Sequence, residues 1–174
     1  MFAIKKAYFV VLAALLVALA TFNSSCGIYS FADVSIPDSI KTIRINFIEN
    51  RAPYVNPRLS PTLTDRIKQK IINQTRLTQT NNENAHYDIS GWISDYSVST
   101  TGVSANRGVM NRLTVGVHIT LKNQLANTPP QEFDVSRSFE FDANRTLQSV
   151  ESQLLEEMVR NLTDDIFNRV FSNW

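Results

Sequence analysis

Alternation of apolar and polar residues predicts four β-strands in this chain. The clearest strand covers residues 112–121, where every second residue is apolar and the others are polar or glycine. A period of two is typical of a strand with one buried face. Residues 42–48 alternate in the same way, and phenylalanine and valine mark a fourth strand between 133 and 141. Residues 87–98 form the second strand in chain order, and a shift of alternation near Asp95 predicts a bulge there.

Arg137 interrupts the pattern of the last strand, because it falls on the same face as the apolar residues around it. A charged residue on an apolar face has three possible explanations, and the sequence leaves all three open. Arg137 lies at the end of the buried face, beside a bulge, or close to a partner that satisfies its charge.

A period of 3.6 residues predicts two amphipathic helices. The first follows Ser60 as N-cap and Pro61 at the first helical position, and it ends near 76–77. The second covers about 149–171 with an apolar residue at every fourth position, a length of roughly 35 Å at 1.5 Å per residue. The order β-α-β-β-β-α predicts an α+β fold: a two-layer sandwich in which two helices cover one face of a four-stranded mixed sheet.

The N-terminus has the layout of a secretory signal. Lys5 and Lys6 precede an uncharged apolar stretch at 7–20, and small polar residues follow. These 14 apolar residues are fewer than the roughly 20 that a transmembrane helix needs. A buried helix is the alternative, but it would show a polar face. The pattern therefore predicts a signal peptide over residues 1–25.

Cys26, the only cysteine, comes directly after this segment. Asn23-Ser24-Ser25-Cys26 resembles the end of a bacterial lipobox, so we expect Cys26 to carry acyl chains such as palmitate, each buried methylene contributing about 0.8 kcal/mol to membrane binding. The alternative is an ordinary secreted protein with an unused thiol. We predict a lipidated tether at 26–40 and a single α+β domain at 41–174.

The charge balance argues against nucleic acid as a partner. The chain has 17 basic and 16 acidic residues, and removal of the signal with Lys5 and Lys6 leaves 15 against 16, a formal charge of −1. Nucleic-acid-binding domains carry a basic surface instead.

Residues suited to catalysis do not form a recognisable constellation in the sequence. His86 and His118 lie in different predicted elements, and neither has the neighbours of a zinc site. The acidic pairs 156–157 and 164–165 fall in the long helix, where a solvated face explains them better than acid–base chemistry. We therefore predict a protein without enzymatic activity, metal or cofactor.

The mature chain contains a series of short motifs, each of which occurs once. In chain order they are Cys26-Gly27, Tyr29-Ser30-Phe31, Ser35-Ile36-Pro37, Lys41-Thr42-Ile43, Leu59-Ser60, Gly91-Trp92-Ile93, Arg137-Ser138-Phe139, Asp165-Ile166-Phe167-Asn168 and Asn173-Trp174. In this order they resemble the LptE family of lipopolysaccharide-assembly lipoproteins, in the form found in Bacteroidetes.

The resemblance implies a non-enzymatic lipoprotein that is anchored in the outer membrane and faces the periplasm. Such a protein sits as a plug inside the large β-barrel LptD, helps the barrel to assemble, and helps lipopolysaccharide to reach the cell surface. The residues after Cys26 lack the acidic run that resembles a surface-export signal, which fits an inward-facing anchor.

The segment 99–111 is longer than a hairpin connection requires, and long loops are often functional. We hypothesise that this loop reaches into the barrel lumen, where Arg107 and Arg112 contact polar groups or lipid phosphates. Arginine suits phosphate because its planar guanidinium donates two parallel hydrogen bonds. Lys122 is a further candidate for contact with the barrel or with lipopolysaccharide. The alternative is a surface loop without a partner.

Two other functions remain open at this point. The same anchored domain fits a lipoprotein of another envelope secretion or pore complex. A hydrolase acting on envelope polymers is disfavoured, because the sequence lacks nucleophile and metal motifs.

Overall fold

The structure of the protein is a computed structural model that describes residues 36–101 and 109–171. The predicted signal peptide (1–25), Cys26 and Arg107 lie outside the described residues.

Helices and strands follow one another in the predicted β-α-β-β-β-α order, with two very short strands added. The bounds are β1 Thr42–Ile45, β2 Glu49–Asn50, α1 Leu59–Gln74, β3 Thr78–Gln79, β4 Tyr87–Thr101, β5 Met110–Asn123, β6 Gln131–Asp142 and α2 Leu147–Phe171. The sheet order is β3-β1-β4-β5-β6, and β2 pairs with β4. Strand β1 pairs in parallel with β3 and with β4, and β2 pairs in parallel with β4. The pairs β4–β5 and β5–β6 are antiparallel, so the sheet is mixed. The α+β prediction is confirmed.

The sheet has six strands rather than the four predicted, because β2 and β3 are two residues long and too short to show a period. The strand predicted at 42–48 stops after Ile45. The chain then resumes pairing with β4 at Glu49 and Asn50.

The bulge predicted near Asp95 is confirmed. The pairing of β4 with β5 shifts between Ile93 and Asp95, so that two residues of β4 face one of β5. Gly116 lies opposite Asp95 at this point. The alternation along β4 therefore changes where the sequence pattern changes.

The connection between β4 and β5 is shorter than the predicted loop at 99–111. Ser99 pairs with Arg112, and Thr101 pairs with Met110, so both ends of this segment belong to the sheet. The Thr101 hydroxyl also donates to the Met110 carbonyl at 2.9 Å. Cross-strand bonds of this kind extend the hairpin although its residues are polar.

Helix α1 begins before the predicted cap. Arg58 is the N-cap and makes no side-chain capping bond, while Ser60 lies inside the helix. The Asn56 side chain accepts a hydrogen bond from the Arg58 amide at 3.0 Å, and this turn starts the helix early. The prediction of Ser60 as N-cap was wrong because a turn upstream of it already supplies the partner.

Both helices cover one face of the sheet, as predicted, and they also contact each other. The core between the layers consists of aliphatic and aromatic side chains from all long elements, and Ile36 and Ile40 of the predicted tether belong to it. Its largest fully buried members include Ile43, Leu63, Ile67, Ile71, Ile89, Ile93, Leu113, Ile119 and Met158.

Arg137 lies close to a partner, one of the three explanations that the sequence left open. Its guanidinium donates two hydrogen bonds to the Asp165 carboxylate of α2. The hydrogen bonds to Asp165 raise the pKa of Arg137 above its ordinary value. The pair joins the helix-covered face of β6 to the long helix.

Candidate functional site

The second face of the sheet carries polar side chains, and neither α1 nor α2 packs against it. Because side chains alternate along each strand, the residues of β4, β5 and β6 that lie between the core positions point to this face. We call it the open sheet face and define it by its residues on four strands. On β4 they are Asp88, Ser90, Trp92, Ser97 and Ser99, and on β1 Arg44. On β5 they are Arg112, Thr114, His118, Thr120 and Lys122. On β6 they are Glu132, Asp134, Ser136, Ser138 and Glu140.

At the centre of the open sheet face four side chains form a continuous row, in which each side chain contacts the next. The Trp92 and His118 rings are stacked with their centroids 4.2 Å apart. The Arg51 guanidinium carbon lies 4.6 Å from the centroid of the Trp92 ring, a cation–π distance. The His118 Nδ1 atom lies 2.9 Å from the Asp134 Oδ1 atom. We call Arg51, Trp92, His118 and Asp134 the central ladder.

Strand register brings the central ladder together. Trp92 pairs directly with His118, and His118 pairs directly with Asp134, so all three side chains leave the sheet side by side. The backbones of β4 and β5 also approach closely beside Trp92. A Cβ atom added at Gly91 would lie 2.3 Å from the His118 carbonyl oxygen. Glycine at 91 therefore allows the strand contact that sets Trp92 against His118.

A second polar cluster fixes β1 to β4 at one end of the face. Asp88 accepts hydrogen bonds from the Arg44 guanidinium at 2.6 and 3.1 Å and from the Asn46 amide at 2.7 Å. The side chains of Arg44 and Asp88 are 22% and 14% exposed, so this pair is shielded from water. Its hydrogen bonds raise the pKa of Arg44 above the ordinary value. The cluster stabilises the sheet and leaves little of its charge free to bind a ligand.

The structure places Arg112 and Lys122 on the open sheet face but does not bring them together. Ten residues separate them along β5, roughly 34 Å in an antiparallel strand. The Arg112 side chain is paired with Glu140 at 3.0 Å, whereas Lys122 makes no ion pair within the part of the chain that the structure describes. Arg112 and Lys122 thus lie on either side of the central ladder, and their roles stay predictions, as does that of Arg107.

The open sheet face with its central ladder carries four carboxylates and four Arg or Lys side chains, so its charges balance. Its carboxylates include Glu132, Asp134 and Glu140 of β6, all of them well exposed. The chemistry that the face offers is hydrogen bonding, ion pairing and stacking on an indole ring. Within residues 36–101 and 109–171, no group of three or more His, Cys, Asp or Glu side chains is arranged to hold a metal ion.

Trp92 is one of the central ladder residues that the sequence did not single out as functional, and it supplies the stacking surface. The contact between Trp92 and His118 depends on the register between β4 and β5, and periodicity within one strand does not specify that register. One signal pointed to it: His118 was already on the polar face of its strand, and a tryptophan on the neighbouring strand is a candidate to stack on it.

Comparison with known families gives a match over most of the chain. The model of the family LptE, described as lipopolysaccharide-assembly, matches residues 40–170. The chain belongs to the LptE family. Its role is in lipopolysaccharide assembly, and the resemblance drawn from the sequence motifs is confirmed. No curated protein sequence matches the LptE chain.

Solved structures of several bacterial proteins are similar in part. A minor lipoprotein from Acinetobacter baumannii shares 17% identity over 75% of this chain and 87% of its own, with a TM-score of 0.41. The protein CT253 from Chlamydia trachomatis shares 12% over 77% and 99%, with a TM-score of 0.46. Lipoprotein B from Nitrosomonas europaea shares 20% over 74% and 85%, with a TM-score of 0.42.

Among the described residues, no helix combines the length and the apolar character needed to cross a membrane.

Proposed function

We propose that this LptE protein is a non-enzymatic component of the lipopolysaccharide translocon. Acylated at Cys26, it is held at the outer membrane on the periplasmic side and plugs an LptD-type β-barrel, which it also helps to assemble. Its direct partners are then the barrel, lipopolysaccharide and the membrane.

The observation that carries this proposal is the open sheet face in a member of the LptE family. A polar sheet face that no described element covers is a surface of the kind that a polar barrel interior complements. The central ladder gives that face a half-buried tryptophan, the residue type most enriched among energetically dominant interface positions. We therefore infer that the open sheet face contacts the barrel wall.

The sharpest test of this orientation is Trp92→Ala. Removing the indole deletes the stacking surface between Arg51 and His118, so we expect the amount of barrel that co-purifies with the protein to fall about tenfold, the effect of roughly 1.4 kcal/mol. Quantitative mass spectrometry of the complex, captured from solubilised outer membranes, measures it.

Tyr54→Ala is the matched control for Trp92→Ala. Tyr54 also belongs to a stacked pair, with Tyr96 at a centroid distance of 5.3 Å, but Tyr96 lies in the core and not on the open sheet face. Barrel recovery with this variant is expected to match that of the wild type. Equal recovery with both variants would contradict the proposed orientation.

The basic residues of the hairpin are tested by Arg107→Glu combined with Arg112→Glu. Reversal at 112 replaces the ion pair with Glu140 by two like charges, and reversal at 107 removes the predicted lumen contact. We expect reduced co-purification of the barrel and reduced binding of lipopolysaccharide. The control is Arg58→Glu with Lys68→Glu, which makes the same charge change at α1. If the hairpin variant behaved like this control, the role of Arg107 and Arg112 would be wrong.

A further inference from the structure

A polar groove lies between α1 and α2, away from the open sheet face. Its volume is about 340 Å³, at the lower end of the range for ligand sites. Its lining includes Arg66, Lys70 and Asn73 of α1, with Glu156, Arg160 and Thr163 of α2. Every side chain that lines the groove is charged or carries an amide or hydroxyl group.

Thr163 is only 2% exposed, and its hydroxyl has no hydrogen-bond partner among the residues that the structure describes. In α1, the hydroxyls of Thr62 and Thr64 each donate to the carbonyl four residues back, and the hydroxyl of Thr75 at the C-cap does the same, at 2.7 to 2.8 Å. Thr163 does not make this bond and instead lines the groove. An unpaired buried hydroxyl costs free energy, so a group that bonds to it from the groove would relieve that cost.

Positive charge remains available in the groove after internal pairing. Lys70 is bound to Asp164 at 2.9 Å, which neutralises that ammonium group. Arg66 on α1 and Arg160 on α2 are both exposed, and neither makes an ion pair within the described residues. Glu156 is the remaining carboxylate, so the groove presents two guanidinium groups against one acid.

We propose that this groove binds a phosphate-bearing ligand, with the phosphate held between Arg66 and Arg160 and a ligand oxygen bonded to the Thr163 hydroxyl. Guanidinium groups suit phosphate because each donates two parallel hydrogen bonds to its oxygens. Amides such as that of Asn73 can bond hydroxyl groups next to the phosphate. The ligand is a phospholipid headgroup or a water-soluble phosphate ester. This inference goes beyond the proposed function and does not depend on barrel binding.

Titration of the detergent-solubilised full chain, followed through the NMR signals of the arginine Nε–H groups, tests the proposal. The probes are sodium phosphate, glycerol phosphate and dihexanoylphosphatidylglycerol, with dihexanoylglycerol as the probe that lacks phosphate. We expect the Arg66 and Arg160 signals to shift with phosphate-bearing probes and to stay unchanged with dihexanoylglycerol. At least tenfold tighter binding of the phospholipid than of glycerol phosphate identifies a lipid headgroup, and equal binding identifies a soluble ester.

The variant Arg66→Gln with Arg160→Gln should bind at least tenfold more weakly than the wild type. Both side chains are exposed, so the fold is expected to persist, and the spread of the amide signals checks this. Arg58→Gln with Lys68→Gln is the matched control, because it removes two charges at α1 outside the groove. Absence of any response to all three phosphate probes, or equal binding by the groove variant and the control, would overturn the proposal.

Thr163→Val separates a binding role from a structural one. Valine has a similar shape and removes only the hydroxyl that lacks a partner. We expect weaker phosphate binding together with a melting temperature that does not fall. Unchanged binding would remove the Thr163 contact from the proposal, and a lower melting temperature would show that this hydroxyl serves the fold instead.

Discussion

Replacing Cys26 with serine is expected to reduce incorporation of radiolabelled palmitate into the protein to background. The chain has a single cysteine, so no other thiol can take up an acyl group. Each buried methylene contributes about 0.8 kcal/mol to membrane binding, and loss of whole acyl chains therefore removes the main attachment that we propose. Labelling of growing cells, followed by immunoprecipitation, measures this directly.

Ser30→Ala is the control for the Cys26 experiment, because it changes a small polar residue close to the anchor without touching the thiol. Its labelling should equal that of the wild type. Palmitate incorporation that persisted in Cys26→Ser would contradict the anchor, and it would leave an ordinary secreted protein as the better explanation of the N-terminus.

The substitution Gly91→Ala is expected to destabilise the domain by about 3 kcal/mol, in the upper part of the range for overpacked sites. The added Cβ atom would lie 2.3 Å from the His118 carbonyl oxygen and 2.9 Å from the Ile119 Cδ1 atom. A backbone oxygen cannot move away without breaking the pairing of β4 with β5, so the strands must separate locally. Thermal unfolding should show a melting temperature lower by roughly 10 °C.

Gly116→Ala provides a matched comparison in the same pair of strands. Its Cβ atom would lie 3.1 Å from the Ser94 Oγ atom and 3.2 Å from the Asp95 Cβ atom, side-chain atoms at the bulge that have room to adjust. We expect a smaller loss, under about 1 kcal/mol. A larger loss at 116 than at 91 would mean that the close approach beside Trp92 is not what requires glycine there.

Long elements with an unbroken period could be predicted from the sequence. Strand β5 alternates throughout because one face packs on the helices, and the bulge near Asp95 appears as a shift in the same pattern. Helix α2 was predicted to within two residues of its observed start at Leu147. Each of these signals is local to one segment, and burial on one face produces it.

Features that depend on pairing between segments could not be predicted in this way. The strands β2 and β3 exist only because they pair with β4 and β1, and two residues show no period. The partner of Arg137 lies 28 residues away on α2, so the sequence left three explanations open. The central ladder and the groove at Arg66 and Arg160 also form by packing between distant segments. The pattern of residues within one segment therefore predicts neither of them.

The start of α1 is a different case, because the local rule itself was misleading. Ser60 before a proline is a common N-cap pattern, but the Asn56 side chain bonds to the Arg58 amide and the helix begins earlier. The turn at Asn56 therefore sets the start of the helix, upstream of Ser60.

Affinity purification of the wild-type protein from solubilised outer membranes, followed by mass spectrometry, tests the translocon proposal most directly. We expect one dominant partner, a β-barrel of the LptD type, in roughly equimolar amount. Recovery of a different secretion or pore complex, or of the protein alone under conditions that keep other outer-membrane complexes intact, would contradict the proposal.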